Sequence, residues 1–451
     1  LIELVHYAHS KDVEITIDAE EQDRLTLSLN IIEKLALDKV IKNWTGFGIA
    51  LQAYGKRSIN VIHWINKILD KREKMHLRLV KGAYWDYEIK HAQVFGYEDY
   101  PVYSKKSLTD ISFLLCAKEI LKNEKIYAKF ATHNAHTISS VHQLGRGKDY
   151  EFQRLYGMGE LLYQSAEKVL NLEKKPSVYA PIGSYKDLLP YLVRRLLENG
   201  ANSSFINRLL DPETDANWLA ENPAIRIEKE KIDIPLPKNI FTERKNSSGF
   251  DLSENSNLEN LEKSISAHKK NKINAESIYV NRDEKEKVGQ KVYSIANNEE
   301  IGTAIFDDPT NVKSALENFA SEKWSKYSVQ ERSQILIKIS DDIEKDPSEL
   351  IFYLLNEAGK TIQNAIDEIR EAIDFLRYYS RQIIEIHGKK SLQGPTGEIN
   401  RISYSPKGNY LCISPWNFPV AILIGQISAA LACGNNVCLL YTSPSPRDTI
   451  R

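Results

Sequence analysis

"HLRLVKGAY", residues His76 to Tyr84, is an alternating apolar run that closes on a lysine, a glycine and a tyrosine. A run of this kind reads as a β-strand whose carboxyl end carries functional groups. Five further stretches have the same form: "EITID" (Glu14–Asp18), "GIALQAY" (Gly48–Tyr54), "AKFATHN" (Ala128–Asn134), "FQRLYGMG" (Phe152–Gly159) and "SVYAPIG" (Ser177–Gly183). Each precedes a stretch of helix length, so repeated βα units around a parallel sheet are expected up to about Asp211. An open doubly wound sheet and a closed (β/α)8 barrel both accommodate six such units. The candidate functional residues Asp18, Gln52, Lys81, Tyr84, His133, Asn134 and Tyr179 all sit at strand carboxyl ends, which is where barrels place their active sites. That placement favours an incomplete (β/α)8 TIM-type barrel over residues 1–211, and if it is a barrel, two strands upstream of Leu1 are missing.

The composition sets the outer limits. The chain has 451 residues, 42% hydrophobic and 27% charged, with a net charge of -1, a balance that asks for neither nucleic acid nor an anionic membrane. Its longest apolar runs break well short of membrane-spanning length. Cys116, Cys412, Cys433 and Cys438 show neither metal spacing nor a secreted disulfide framework, which favours a reducing compartment. Leu1 opens without Met in what reads as mid-helix, so a fragment is expected, and a start of that kind allows no reading on a signal peptide.

Downstream of the βα units the texture changes. Residues 212–300 include the polar "KIDIPLPKNIFTERKNSSGFDLSENSNLENLEK" and read as a connector. From Asn311 helical periodicity returns. Ser328 and Glu331 have capping-box spacing, and Ile362, Ile366, Ile369, Ile373 and Leu376 line one face of a long helix. "GNYLCISPWNFP" then reads as a strand entering a loop, "IGQISAALACG" as a small-residue helix and "NNVCLL" as a strand. The ending "YTSPSPRDTIR" matches nothing before it.

Several motifs carry chemistry or fail to. No G-x-G-x-x-G follows a strand, so a Rossmann fingerprint is absent. "EAGKT" (Glu357–Thr361) ends like a phosphate loop, but Leu354 replaces the required glycine and the stretch lies in a helical pattern. His133 and His136 in "HNAH" lack a third ligand at metal spacing. Lys81 has the position of a Schiff-base lysine, while Gly82 beside it favours close backbone approach to a planar or phosphorylated ligand. Arg78, Lys81, Tyr84, Trp85, Lys105 and Lys106 together suit a large anionic cofactor, cations meeting phosphates and flat side chains meeting a ring. In "PYLVRRLLENG" Pro190 suits the first position of a helix and Gly200 the position just past its end. Tyr191, Arg194, Arg195 and Glu198 share one face there, as a solvated charge ladder or as a pocket wall gripping a carboxylate.

"TIDAEE", "ALQAY", "LRLVKGAYWD", "FATHNAH", "FQRLYGMGE", "YAPIG" and "YLVRRLLENGANSSF" together resemble the proline dehydrogenase domain of the bifunctional bacterial proline utilization A flavoenzymes, across nearly all of residues 1–211. "EAGKT", "EIREAIDFLRYY" and "ISPWNFPVAILIGQISAALACGN" resemble the amino-terminal part of that family's second module, an NAD-dependent aldehyde dehydrogenase acting on glutamate semialdehyde. The resemblance implies an α/β domain of that type over 301–440. It implies that Arg194 and Arg195 clamp the carboxylate of L-proline, with Glu198 paired to them. Tyr179, Tyr191, Tyr84 and Leu155 would enclose the ring above Asp18. FAD would lie along Arg78, Gln52, Val80, Lys81, Gly82, Ala83 and Trp85, with Ser104, Lys105, Lys106, Thr132, His133 and Asn134 at its pyrophosphate and adenosine end. Electrons would pass to a membrane quinone, implying peripheral contact at the inner face of a bacterial membrane from the cytoplasm, and the intact protein would be a homo-oligomer. Whether the parent binds nucleic acid is left open by the resemblance.

Three departures accompany it. The first barrel strands and a lysine beside the arginines are missing. The second module stops before its catalytic Cys and Glu and is expected inactive in this chain; only Asn417 matches a catalytic position, the oxyanion-hole amide. Tyr441 onward replaces the segment that meets the NAD ribose and reads as foreign. Two rival readings stand beside this one, a Schiff-base aldolase-like barrel using Lys81 and a catalytically dead fragment.

Overall fold

The computed structural model describes residues 1–200, 220–229, 234–276, 288–306, 322–388 and 391–441, and the side chains of 194–200 lie outside the described set. The chain divides into two compact units, Leu1–Ala92 with Asp99–Pro235, and Gln93–Glu98 with Leu236–Arg451.

In the first unit six strands, β1 (Ile15–Ile17), β2 (Phe47–Gln52), β3 (Met75–Val80), β4 (Ile126–Ala131), β5 (Tyr150–Leu155) and β6 (Ser177–Tyr179), form one sheet in the order β1-β2-β3-β4-β5-β6. All five pairings are parallel. Strictly sequential order has no switch point, so the sheet is the arc of a (β/α)8 barrel and not a doubly wound sheet. Between the strands run α2 (Leu25–Ala36), α3 (Ser58–Leu69), α4 (Trp85–Phe95), α5 (Lys106–Ile120), α6 (Ala135–Leu144) and α7 (Glu160–Leu170), with α1 (Ile2–Ser10) before β1 and α8 (Tyr185–Gly200) after β6. Leu77 and Leu79 alternate with His76 and Arg78 along β3; the leucines join the core shared with α3 and α5, where Ile65, Phe113 and Ile120 are also fully buried.

The opposite face of the sheet is the concave interior, and it curls. Arg78 on β3 donates to Asp18 beyond β1, and its guanidinium lies 5.9 Å from the ring of Tyr179 on β6. Lys129 on β4 bonds Glu14, just ahead of β1, at 2.6 Å. One interior position shows how tightly the curl is packed. A Cβ at Gly48 on β2 would fall 1.8 Å from the His76 ring, so only glycine fits beside that imidazole. Burial and the neighbouring Lys129 hold His76 down to about 4, so it sits neutral against the Thr16 hydroxyl at 2.8 Å.

Two expectations need correction. Pro190 does not open its helix: α8 begins at Tyr185 and carries Pro190 inside it, and Gly200 is its last residue. Ser184, whose carbonyl and hydroxyl both accept from the Asp187 N–H, starts the helix a turn and a half earlier. The other concerns the stretch 212–300, read as a connector. Its described part contains the helix Asn255–Ala267, which buries Leu261 and Ile265 in the core of the second unit.

That second unit is organised around the helix Ile362–His387. Ile366, Ile369 and Ile373 pack with Ile351, Phe352 and Leu261, and further along Leu376 and Ile383 pack with Leu336 and Ala432. The helix Val329–Lys345 opens with the expected capping box of Ser328 and Glu331. A three-stranded sheet has the order β7 (Ile273–Glu276), β9 (Glu300–Phe306), β8 (Val288–Tyr293), and β10 (Ser391–Leu392) pairs with β11 (Asn400–Arg401). Strand β12 (Asn409–Ser414), the helix Ala421–Ala432 and the parallel strand β13 (Asn436–Tyr441) make a βαβ unit. Tyr441 thus belongs to β13, and the remaining tail, 442–451, lies outside the described residues. Among the described residues no helix is long and apolar enough to cross a membrane.

Candidate functional site

The carboxyl ends of β1 to β6 and the loops after them carry most of the first unit's candidate residues, and hydrogen bonds between successive loops hold them in place. Gln52, the last residue of β2 and almost fully buried, is the central clamp. Its Nε2 donates to the Glu20 carbonyl at 2.7 Å, and its Oε1 accepts from the Ala83 N–H at 3.1 Å, tying the loops after β1, β2 and β3 together. The Glu20 carboxylate in turn accepts from the Tyr84 hydroxyl at 3.2 Å. Val80, at the end of β3, accepts from the Ala53 N–H at 2.8 Å, and the Lys81 carbonyl accepts from Tyr54 at 2.8 Å.

Beneath this rim lies a buried acid that the sequence reading missed. Gly82 adopts φ 140°, and a Cβ there would lie 2.5 Å from the ring of Tyr54. The Tyr54 hydroxyl donates to Glu88 Oε1 at 3.4 Å, and the Gln22 N–H donates to the same oxygen at 2.7 Å. Burial pushes the Glu88 carboxyl up to about 7, Asp23 and Glu21 adding to the effect while the Gln22 amide opposes it. No local spacing marks Glu88; it is one acid in the first turn of an ordinary-looking helix, and only burial distinguishes it.

The basic residues extend from this rim to the start of α5. Lys81 forms an ion pair with Asp110 on α5, another partner without a sequence signal. Lys105 precedes α5 and donates to the Ile227 carbonyl at 3.1 Å; Ser104 is half-buried and Lys106 exposed beside it. Trp85 Nε1 donates to the Tyr103 carbonyl at 2.9 Å. After β4, Asn134 caps α6 by accepting from the Thr137 N–H at 3.0 Å, while the buried Thr132 offers its carbonyl to the Tyr163 hydroxyl at 2.8 Å. His133 Nε2 accepts from the Leu155 N–H at 3.2 Å, which assigns the ring proton to Nδ1. His136 is held below its usual range by burial and by Arg226 and Lys81, with Asp110 opposing.

Arg78, Asp18 and Tyr179 meet as described above, and Leu155 is buried next to β6. Tyr191 is half-buried on α8. Arg194, Arg195 and Glu198 share the α8 backbone, and their side chains lie outside the described residues. In the second unit Asn417 is exposed in the turn between β12 and the helix Ala421–Ala432.

Residues 1–208 match the family described as Proline dehydrogenase, and residues 279–449 match the Aldehyde dehydrogenase family. The bifunctional protein PutA of Salmonella typhimurium is 39% identical over 452 residues, an alignment covering 95% of this chain and 33% of that protein. The chain is PutA-like. It carries a proline dehydrogenase domain followed by part of an aldehyde dehydrogenase domain, and it spans about a third of the length of its curated PutA relatives. A crystal structure of Bradyrhizobium japonicum Proline Utilization A superposes with a TM-score of 0.86 at 37% identity, over 99% of this chain and 44% of that one. The second part of this PutA-like chain is also similar to 1-pyrroline-5-carboxylate dehydrogenase 1 of Halalkalibacterium halodurans, 40% identical over 135 residues, 30% of this chain and 26% of that protein.

Proposed function

We propose that the first unit oxidises L-proline to pyrroline-5-carboxylate with FAD and delivers the electrons to a membrane quinone. In the intact protein the second module would oxidise glutamate semialdehyde to glutamate with NAD. The observation that carries the reading is the rim itself: Arg78 braced by Asp18 and Tyr179, with Lys81, Lys105 and Lys106 toward the start of α5.

These residues fit a flavin dinucleotide on physical grounds. Lys81, Lys105 and Lys106 stand at the amino-terminal end of α5, where a pyrophosphate gains from both cations and helix amides. When bound, FAD supplies a two-electron acceptor that the amino acids lack.

The chain's own residues do the rest. Arg194 and Arg195 grip the substrate carboxylate as planar forks, with Glu198 steadying them. Tyr84, Tyr179, Tyr191 and Leu155 close around the pyrrolidine ring, exclude water and hold one ring carbon in a near-attack position. Asp18 fixes the Arg78 guanidinium at the cofactor-facing edge. Lys81 is engaged in an ion pair with Asp110, a contact a free Schiff-base amine would have to give up, which weighs against an aldolase. Quinone reduction brings peripheral contact at the inner face of a bacterial membrane, and a homo-oligomer is the proposed assembly.

The test is reconstitution of the protein with FAD, followed by its visible spectrum and proline-dependent dye reduction. A yellow protein reducing dye with proline is expected, and Arg195→Ala should raise the proline KM about 100-fold, the worth of a charged bidentate contact. A colourless protein after reconstitution, or unchanged proline affinity in Arg195→Ala, refutes the proposal.

A further inference from the structure

"EAGKT" fails as a phosphate loop, and its lysine receives no role from the reading above. Its surroundings give it one. Lys360 Nζ lies 2.6 Å from Glu368 Oε2 on the helix Ile362–His387, and the same ammonium stands 4.4 Å from the centre of the Phe418 ring. Glu368 is 2% exposed, and its second oxygen accepts from the Val420 N–H at 2.8 Å and the Ala421 N–H at 3.3 Å. Those amides open the helix Ala421–Ala432, which has no side-chain cap of its own. A buried carboxylate from another helix thus caps it, where negative charge meets orphan N–H groups and the positive end of the helix dipole. The lysine balances that charge and presses on the aromatic ring at the same time.

We propose that Lys360 and Glu368 form a latch that positions the turn carrying Asn417. The three fixings fall on Phe418, Val420 and Ala421, within the four residues that follow Asn417. The Asn417 side chain itself is exposed, so the placement of its backbone governs where the amide sits. Lys360 and Glu368 are positioning residues, since neither is placed on substrate or cofactor. The value of the latch to aldehyde oxidation rests on the proposed function of the second module, whereas the latch itself is a property of this turn.

Amide hydrogen exchange of this chain, resolved at Val420 and Ala421, tests the latch without any turnover. Glu368→Ala should lose protection at both amides by about 10-fold or more, the expected result of leaving buried donors without an acceptor. Glu368→Gln retains an acceptor oxygen and should stay within about threefold of the parent, which also guards against reading a general loss of folding as a local one. The exchanged pair Lys360→Glu with Glu368→Lys restores opposite charges but offers the amides no acceptor, so protection should remain lost. Unchanged exchange in Glu368→Ala, or recovered protection in the exchanged pair, overturns the latch. Because no aldehyde is involved, either outcome is independent of whether the second module proves to be a semialdehyde dehydrogenase.

Discussion

Replacing Glu88 by Gln isolates the energetic effect of one buried acid. In the folded protein Glu88 keeps its proton up to about pH 7, against an ordinary value of 4.5. Between those values the folded state binds one proton more than the unfolded state, so raising the pH favours unfolding. The stability cost grows from pH 4.5, is complete just above pH 7, and is absent in acid. The difference of about 2.5 pH units corresponds to about 3 kcal/mol at 1.36 kcal/mol per unit, and solvent screening from the Glu21 and Asp23 side reduces the expected effect to about 1–3 kcal/mol. Glu88→Gln preserves an oxygen for the Gln22 N–H and the Tyr54 hydroxyl but cannot ionise. Urea unfolding followed by tryptophan fluorescence should therefore give similar midpoints for parent and variant at pH 4.5. At pH 8 the variant should be the more stable by that amount. Parallel curves across this range would mean that Glu88 is ionised in the folded protein and that its burial is compensated.

Gly82→Ala should destabilise the first unit by about 2–4 kcal/mol, combining a strained backbone with a Cβ driven into the Tyr54 ring, measurable as a lower urea midpoint. A loss below about 0.5 kcal/mol would show that the loop relaxes away from Tyr54. Leu261→Ala should cost the second unit about 2–5 kcal/mol, because Leu261 is 5% exposed in a core formed with Ile366 and Phe352. A neutral result would mean that the helix Asn255–Ala267 rests on the surface without contributing to that core.

Much of the architecture was legible because its signals are local. All six strands of the first unit were visible as apolar runs, and the Ile366–Leu376 stripe and the Ser328 cap follow from periodicity and a three-residue spacing. The choice between an open sheet and a barrel needed the strand order, although the position of polar residues at strand ends already favoured the barrel. Pro190 misled because proline at a first helical turn is common, while Ser184 upstream supplied the actual start. The polar stretch around Asn255 hid a packed helix because two apolar residues four apart, Leu261 and Ile265, suffice to anchor it. Glu88 and Glu368 were invisible for a different reason: each is fixed by partners far away in sequence, Gln22 and Tyr54 for one, Val420 and Ala421 for the other.

The contact between Gly48 and His76 links two positions that must change in concert. The imidazole fills the volume that any larger residue at 48 would claim, so enlarging one site demands trimming the other, and the Thr16 hydroxyl loses its nitrogen partner in the exchange. Across diverging sequences the pair should covary, glycine opposite a ring or a bulkier residue opposite something small. Their joint history would then record the geometry of the barrel wall more faithfully than either residue alone.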